Sequence, residues 1–205
     1  NDLVIGLNSS AGKRWPMKSL PVEKTVELAR RLCSELNAKV ILFGGTEERE
    51  RNKRIMQMLS EMSQIKMPQI IDAGCNNTLR EFASLINICD CVVCSDSLAM
   101  HIAIALKKQV VAFFAPTSAA EIELYGRGKK IISKSPCYCC YKKVMLPSPN
   151  CIDAITVDEL VSAVKDVCKR IKRVKRKVEK TKKGQSVRAV TADQFNKSDF
   201  EYVSC

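Results

Sequence analysis

The stretch CVVCSDSLAMH, residues Cys91–His101, joins a short apolar run to a polar turn and a helix start. An apolar run of this kind is typical of a strand buried on both faces of a parallel sheet. Asp96 and Ser97 then stand at the first turn of a helix, where free N–H groups can bind an anion. His101 is the single histidine of the chain and shares a helix face with Ser97, although most such histidines are satisfied core residues.

The same succession of apolar run, polar loop and amphipathic helix recurs along the body of the chain. Continuously apolar strands that alternate with helices predict an α/β fold, a Rossmann-like parallel sheet with helices on both faces. Ligands of such sheets bind outside the carboxyl ends of the strands, so the loops after the strands are the candidate site. The predicted strands are Leu3–Leu7, Lys39–Phe43, Gln69–Asp72, Cys91–Ser95, Val110–Phe114 and an edge strand Lys130–Ile132, and helices begin near Pro21, Glu47, Thr78, Leu98 and Val157.

The loop after the first strand, Asn8–Pro16, combines small residues, hydroxyls and a lysine. Small residues let the backbone approach a ligand, Ser9 and Ser10 can donate to phosphate oxygens, and Lys13 supplies a mobile positive charge. Trp15, the single tryptophan, is expected to pack this loop against the domain. Taken alone, the loop also fits a solvated turn with a chance basic pair.

Two further loops follow predicted strands. Phe43–Glu48 (FGGTEE) places a Gly-Gly turn before a helix start, but it lacks the full G-x-G-x-x-G fingerprint. Its glutamates either stabilise the helix dipole or, in the functional interpretation, bind ribose hydroxyls. Phe114–Ser118 (FAPTS) offers Thr117 or Ser118 as the cap of a short helix, which requires no ligand.

Together these loops resemble the second, donor-binding domain of glycosyltransferase family nine, the heptosyltransferase family of GT-B fold. The resemblance covers residues 1–165, and its most specific parts are K-[RH]-W-P and D-[ST]-x-x-x-H. The stretches that carry it are Gly12–Pro16 (GKRWP), Phe43–Glu48 (FGGTEE), Ser95–His101 (SDSLAMH) and Phe114–Ser118 (FAPTS).

The resemblance implies contacts to the two ends of an ADP-sugar. Lys13 is similar to the lysine that meets the donor phosphates and stabilises the leaving group. Ser9 and Ser10 stand where the family contacts the diphosphate. Asn77 and Thr78 lie where the family lines its adenine pocket.

Five more positions of the implied donor site follow the second and fourth strands. Glu48 resembles the glutamate that binds the ribose. Asp96, Ser97 and His101 match the motif whose helix N-terminus holds the diphosphate. Leu98 departs from the family, because many members have glycine there, and its side chain narrows the approach of the phosphates.

The resemblance further implies inverting, metal-independent transfer of a heptose or similar sugar from an ADP-sugar to a lipid-linked, lipopolysaccharide-core type acceptor. The base and the acceptor site of the family belong to its first domain, so no catalytic residue is assigned here and this chain alone is expected to be inactive. No cofactor is expected. The alternatives are a sugar-nucleotide epimerase-like domain and a non-catalytic basic module that binds membrane or nucleic acid. A strand directly after Asn1 favours an excerpt of a longer protein.

The net charge of +12 is concentrated near the C-terminus. Ten Lys and Arg residues and one Glu between Lys169 and Lys183 carry +9 of it. Apolar residues at helical spacing predict a helix whose basic face is either solvated or attracted to anionic lipid. Nucleic acid is not expected, because aromatic residues are 5% of the chain. The predicted organisation is a donor domain over 1–165, a basic helix over 166–180 and a disordered tail over 181–205.

Eleven cysteines are present, and several stand in apolar, regular segments where cysteine acts as a small hydrophobe. This usage predicts a reducing, cytoplasmic location. The basic helix, together with the lipid-linked acceptor that the resemblance implies, suggests peripheral attachment to the inner face of the inner membrane. Cys137, Cys139 and Cys140 with Cys151 suggest zinc, but the spacing is not that of a second Cys-x-x-Cys and no histidine is near. We therefore expect no metal and a packed, mostly reduced loop, with a reversible Cys140–Cys151 disulfide as the alternative.

Overall fold

The computed structural model describes residues 3–62, 69–142 and 149–185, with side chains as far as Ile171. Within these residues, six parallel strands form one sheet, and all the strands predicted from the sequence are present. The strands are β1 Leu3–Asn8, β2 Ala38–Leu42, β3 Ile70–Asp72, β4 Cys91–Ser95, β5 Gln109–Phe114 and β6 Gly128–Ile132, and the helices are α1 Val22–Leu36, α2 Arg49–Ser60, α3 Leu79–Ile88, α4 Leu98–Ala105 and α5 Val157–Gln185.

The strand order is β3-β2-β1-β4-β5-β6, so the chain builds the sheet outward in two directions from β1. Leu7 of β1 pairs with Leu42 of β2 on one side, and Asn8 pairs with Cys94 of β4 on the other. The connections therefore diverge at the carboxyl ends of β1 and β4. This divergence opens the crevice in which doubly wound sheets bind ligands.

Both faces of the sheet are covered by helices. Val92 and Cys94 of β4 share one core with Ile86 of α3 and Met100 of α4. Val93 points to the opposite face because side chains alternate along a strand, and it is fully buried as well. Helix α1 packs against α2 and β2. The predicted α/β architecture with continuously apolar strands is confirmed.

Two helices begin at the capping boxes expected from the sequence. The Oγ1 of Thr78 accepts a hydrogen bond from the N–H of Glu81 at 3.3 Å, and the Glu81 carboxylate accepts from the N–H of Thr78 at 2.8 Å. Thr156 and Glu159 make the same reciprocal pair at the start of α5. These local signals set the starts of α3 and α5.

The loop after β5 does not begin a helix, and that prediction was wrong. The N–H groups of Ser118 and Ala119 donate instead to the phenol oxygens of Tyr141, at 3.3 Å, and Tyr138, at 2.8 Å. Side chains from a distant turn therefore supply the acceptors that a capping side chain would have offered to these N–H groups. Local sequence could not reveal these partners.

Helix α5 continues to Gln185 and so includes residues 181–185, which the sequence had assigned to the tail. Residues 186–205 lie outside the described part of the chain. The compact unit that contains the sheet ends at Lys169. Among the helices described, none combines the length and the apolar character that crossing a membrane requires.

Candidate functional site

The loops that follow β1, β2 and β4 border one cleft of about 360 Å³ at the carboxyl ends of the strands. The start of α3 closes its remaining side. This is the position that the strand order predicts for a ligand. The cleft is lined by Asn8, Ser10, Ala11, Gly12, Gly44, Gly45, Glu48, Asn77, Leu79, Phe82, Ser97, Leu98 and Ala99.

Glu48 joins two of these loops from a buried position. Its Oε1 accepts hydrogen bonds from the N–H of Gly12 at 2.8 Å and the hydroxyl of Ser10 at 3.1 Å. Its Oε2 accepts from the N–H of Gly45 at 2.8 Å. A carboxylate has about four lone-pair sites, so these three bonds leave room for one further donor. Glu48 thus braces the cleft wall and can still meet a ligand hydroxyl.

The β1 loop reaches the β2 loop through a backbone turn that favours glycine. Gly12 has a φ of 76°, and a β-carbon there would lie 2.8 Å from a carboxylate oxygen of Glu47. The same oxygen accepts the N–H of Lys13 at 2.7 Å. The Lys13 side chain is exposed and borders a second cleft of about 360 Å³, which shares Ser10 and Glu48 with the first.

Asp96 is paired with a lysine of the β1 loop. The ammonium of Lys18 lies 2.7 Å from Asp96 Oδ2 and donates to the Asp96 carbonyl at 3.2 Å. It also stands 5.0 Å from the centre of the Trp15 ring, a distance at which cations are attracted to aromatic faces. Asp96 therefore carries its own counter-ion, and its charge is compensated at the end of β4.

Helix α4 begins at the cleft without a side-chain cap. The hydroxyl of Ser97 donates to Asn8 Oδ1 at 3.3 Å and to the Ser95 carbonyl at 3.2 Å, and it caps no N–H of the helix. The N–H of Met100 donates to the Ser97 carbonyl at 3.0 Å, so the N–H groups of Leu98 and Ala99 at the start of α4 are left for an acceptor other than the Ser97 side chain. Leu98 stands at the mouth of the cleft with 59% of its surface exposed.

Comparison with known proteins assigns this chain to a family. The model of glycosyltransferase family 9, described as heptosyltransferase, matches residues 1–149. The chain belongs to glycosyltransferase family 9. It is similar to lipopolysaccharide heptosyltransferase 2 of Salmonella typhimurium, with 31% identity over 118 residues that make up 55% of this chain and 30% of that protein. The matched part is therefore about a third of the length of such relatives.

Solved structures agree on the fold. The ADP-heptose lps heptosyltransferase II of E. coli superposes with a TM-score of 0.61 at 20% identity, over 83% of this chain and 48% of that one. The E. coli heptosyltransferase WaaC, solved with ADP-2-deoxy-2-fluoro heptose, superposes with a TM-score of 0.56 at 17% identity, over 81% and 43%. The family resemblance and the Rossmann-like sheet inferred from the sequence are both confirmed.

The far wall of the cleft in this family 9 domain is mostly apolar. Leu79, Phe82 and Leu98 are apolar side chains that line it, and the ring of Phe82 packs edge-on against Phe43 at 5.4 Å between centroids. Asn77 also lines the cleft, and its side-chain amide donates to the carbonyls of Ala73 and Gly74. Apolar walls with a few fixed polar groups are the usual surroundings of a flat ligand.

Five of the ten candidate residues do not line this cleft, and one of them is Lys13, which borders the second cleft. Ser9 is a buried residue of the β1 loop, and its hydroxyl accepts a hydrogen bond from Arg51 at 3.2 Å. Thr78 is exposed and engaged in capping α3. His101 is exposed one turn into α4, and Asp96 is paired as described above. Of the ten candidates, the structure brings Ser10, Glu48, Asn77, Ser97 and Leu98 together around the cleft.

Sequence reasoning missed two basic residues that organise the site. Lys18 compensates Asp96, and Arg51 donates from α2 to Ser9, to the carbonyl of Leu20 and to the hydroxyl of Thr25. Arg51 could have been found from the sequence, because it stands about one helical turn after Glu48, the residue that resembles the ribose-binding glutamate of the family. Lys18 had no comparable signal, because its partner is distant in the sequence.

Proposed function

We propose that this chain is the donor-binding half of a heptosyltransferase. The reaction is transfer of a heptose, or a similar sugar, from an ADP-sugar to a lipopolysaccharide-core type acceptor with inversion at the anomeric carbon. The observation that carries the proposal is the single cleft in which the loops after β1, β2 and β4 meet the uncapped start of α4. Its shape combines an apolar wall for a base with a polar end for phosphates.

The two ends of the cleft suit the two ends of ADP. Adenine lies between Asn77 and the apolar side chains of Leu79 and Leu98, and the remaining acceptor capacity of Glu48 meets a ribose hydroxyl. The diphosphate lies against the first turn of α4, where the helix dipole and free N–H groups favour an anion. Ser10 donates to it from the β1 loop.

Charge compensation in this proposal comes from the protein. Lys13, exposed beside the cleft, folds over the diphosphate and neutralises the charge that develops as the sugar leaves. Lys18 prevents Asp96 from repelling the same phosphates, because the carboxylate is already paired. These lysines and the α4 dipole make the transfer metal-independent. Ser9 and Thr78 hold the β1 loop and the start of α3 through their hydrogen bonds, and His101, exposed one turn into α4, stays a proposed neighbour of the diphosphate.

The catalytic base and the acceptor site lie in the remainder of the enzyme. Family relatives are much longer than the part matched here, and we propose that the deprotonating group belongs to that additional part. There it removes a proton from an acceptor hydroxyl, whose oxygen attacks the anomeric carbon as the bond to the diphosphate breaks. The present chain therefore binds donor and product but transfers no sugar by itself.

The basic helix supplies the link to a lipid-linked acceptor. Its ten Lys and Arg residues between Lys169 and Lys183 are attracted to anionic headgroups, each by about 1 kcal/mol near the surface. We place the protein in the cytoplasm, peripheral on the inner face of the inner membrane. Membership of family 9 favours this function over an epimerase-like domain or a scaffold for a basic module.

The proposal is tested by calorimetric titration of the chain with ADP, with adenosine and with UDP. ADP should bind. Adenosine should bind more weakly than ADP because it lacks the phosphates. UDP should also bind more weakly than ADP, because uracil is smaller than adenine and covers less of the apolar wall. The same sample should leave an ADP-sugar unconsumed in the presence of acceptor. Equal affinity for ADP and adenosine, or no binding of ADP at millimolar concentration, would contradict the donor-domain assignment.

A further inference from the structure

Three cysteine sulfurs converge away from the donor cleft. Cys137 and Cys140 lie in the turn that follows β6, and Cys151 precedes α5. Their Sγ atoms all lie within 4.8 Å of one another, and all three cysteines are free thiols. The spacing in the sequence argued against a metal because it does not repeat Cys-x-x-Cys. The fold supplies the proximity that the spacing lacks.

The turn that carries the Cys137 and Cys140 sulfurs is hydrogen-bonded to the residues that follow β5. Cys139 and Tyr141 adopt left-handed conformations, with φ of 61° and 53°, which side-chain-bearing residues rarely adopt. The N–H of Cys139 donates to the carbonyl of Ala115 at 3.0 Å, and that of Tyr141 donates to Pro116 at 2.8 Å. These bonds maintain the unusual turn, and the turn directs Cys137 and Cys140 toward the same point.

Two serines after β6 fix the remaining side of the cluster. The hydroxyl of Ser133 donates to the carbonyl of Cys151 at 2.6 Å, in a fully buried contact. The hydroxyl of Ser135 lies 3.5 Å from the Cys137 sulfur and accepts the N–H of the same cysteine at 3.3 Å. The cluster is therefore assembled by the fold before any ligand arrives.

The closeness of the three sulfurs suits a divalent cation. Three thiolates held together in this way would repel one another, and a bound cation compensates the negative charge that they concentrate in one place.

We propose that Cys137, Cys140 and Cys151 bind one thiophilic divalent cation of the zinc class, with a solvent molecule as the fourth ligand. Three metal–sulfur bonds form, three thiol protons leave to solvent, and no electron is transferred. Tetrahedral coordination at about 2.3 Å places the sulfurs roughly 3.8 Å apart, which the observed spacing accommodates with small side-chain rotations. A disulfide would use only two of the three converging sulfurs and would require an oxidant.

The role of this metal is to clip the turn onto the loop after β5. Tyr138 and Tyr141 flank the cluster and accept the N–H groups of Ala119 and Ser118. Fixing the turn therefore fixes the loop at the carboxyl end of a central strand. The inference stands apart from the donor cleft, because none of the three cysteines lines it.

The test uses the whole chain, fully reduced and freed of metal, titrated with Co²⁺ as a spectroscopic probe. We expect one Co²⁺ per chain, a thiolate-to-cobalt charge-transfer band, release of protons, and displacement of the cobalt by Zn²⁺. Cys140→Ser and Cys151→Ser should each weaken binding by more than about 100-fold, since even groups that only orient a ligand contribute about 10- to 100-fold. Cys139→Ser, in the same turn but outside the cluster, is the matched control and should bind like the unaltered chain.

Thermal melting provides the second measurement and does not depend on the folding of any one variant. Zn²⁺ should raise the melting temperature of the unaltered chain and of Cys139→Ser, because a ligand that binds only the folded state stabilises it. It should not raise that of Cys140→Ser, whose side chain is partly exposed. Absence of the charge-transfer band in the reduced chain, equal loss in Cys139→Ser, or a disulfide within the cluster in protein purified from a reducing cytoplasm would overturn the proposal.

Discussion

Lys18 and Asp96 form an ion pair across the end of the sheet, with 2.7 Å between the ammonium and Oδ2. Both side chains are largely shielded from water, being 12% and 17% exposed. The pair joins the β1 loop to the turn before α4, the two segments that flank the switch point of the sheet. It also neutralises the one carboxylate of that turn, beside the surface where a diphosphate is proposed to lie.

Removing this lysine should weaken ADP binding more than adenosine binding. In Lys18→Met, Asp96 keeps its charge without a partner, so both the phosphates and the folded state are disfavoured. We expect a loss of about 1–2 kcal/mol in ADP binding, the size of the repulsion between two unit charges about 10 Å apart at an effective dielectric constant of about 20. Adding Asp96→Asn to Lys18→Met should restore most of the loss, as measured by calorimetry. If the double variant binds ADP as poorly as the single one, charge compensation is not the role of Lys18.

Lys13→Ala tests the direct phosphate contact. We expect ADP binding to weaken by about 1.5–3 kcal/mol while adenosine binding and the melting temperature stay nearly unchanged, because an exposed lysine contributes little to stability. Arg14→Ala, the exposed neighbour, is the control and should have a smaller effect. An equal loss for ADP and adenosine would make Lys13 a structural residue.

Glu48→Gln should destabilise the fold as well as the site. The amide can no longer accept at both ends, so either the Gly12 or the Gly45 N–H faces an N–H group and loses its partner. The free energy of unfolding should fall by about 1–3 kcal/mol, measured by urea denaturation. Glu47→Gln, which alters an exposed carboxylate with a single bond to the Lys13 N–H, should change it much less. Similar losses in the two variants would contradict the bracing role of Glu48.

The contact between α1 and α5 should weaken in acid. Hydrogen bonds from Arg31 and then Lys165 lower the pKa of Glu35 from 4.5 to about 2. A lowered folded-state pKa stabilises the protein above the unfolded value, and this contribution is lost as pH falls from about 4.5 towards 2. The effect should be small, as for other surface ion pairs. In Glu35→Gln the melting temperature should depend less on pH over this range than it does in Glu50→Gln. An unchanged pH dependence would show that the ion pairs of Glu35 are not formed in solution.

The basic segment should bind anionic vesicles in a salt-dependent way. The whole chain should co-sediment with vesicles that contain phosphatidylglycerol and release them as salt rises, because charges are screened over about 8 Å at physiological ionic strength. A chain that ends at Lys169, the limit of the compact unit, should not bind. Equal binding by the shortened chain would remove the membrane proposal.

The local features of the fold could be anticipated because each of them is encoded within a short stretch of sequence. Asp96 and Ser97 follow a buried strand, and the boxes at Thr78 and Thr156 operate over three residues. The helix predicted after β5 does not form, and the hydrogen-bond partners of this loop come from residues distant in the sequence. Its N–H groups are bound by Tyr138 and Tyr141, whose approach depends on a turn beyond β6.

The alternation of apolar strands and amphipathic helices by itself determined that this chain forms a parallel sheet covered on both faces, since burial imposes the periodicity of each element. It also determined which loops meet at the ligand edge. Tertiary structure alone decided the pairings across long separations: Lys18 with Asp96, Glu48 with the N–H of Gly12, and Cys151 with Cys137. Such pairs depend on atoms a few ångströms apart, and only the folded chain brings them within that distance.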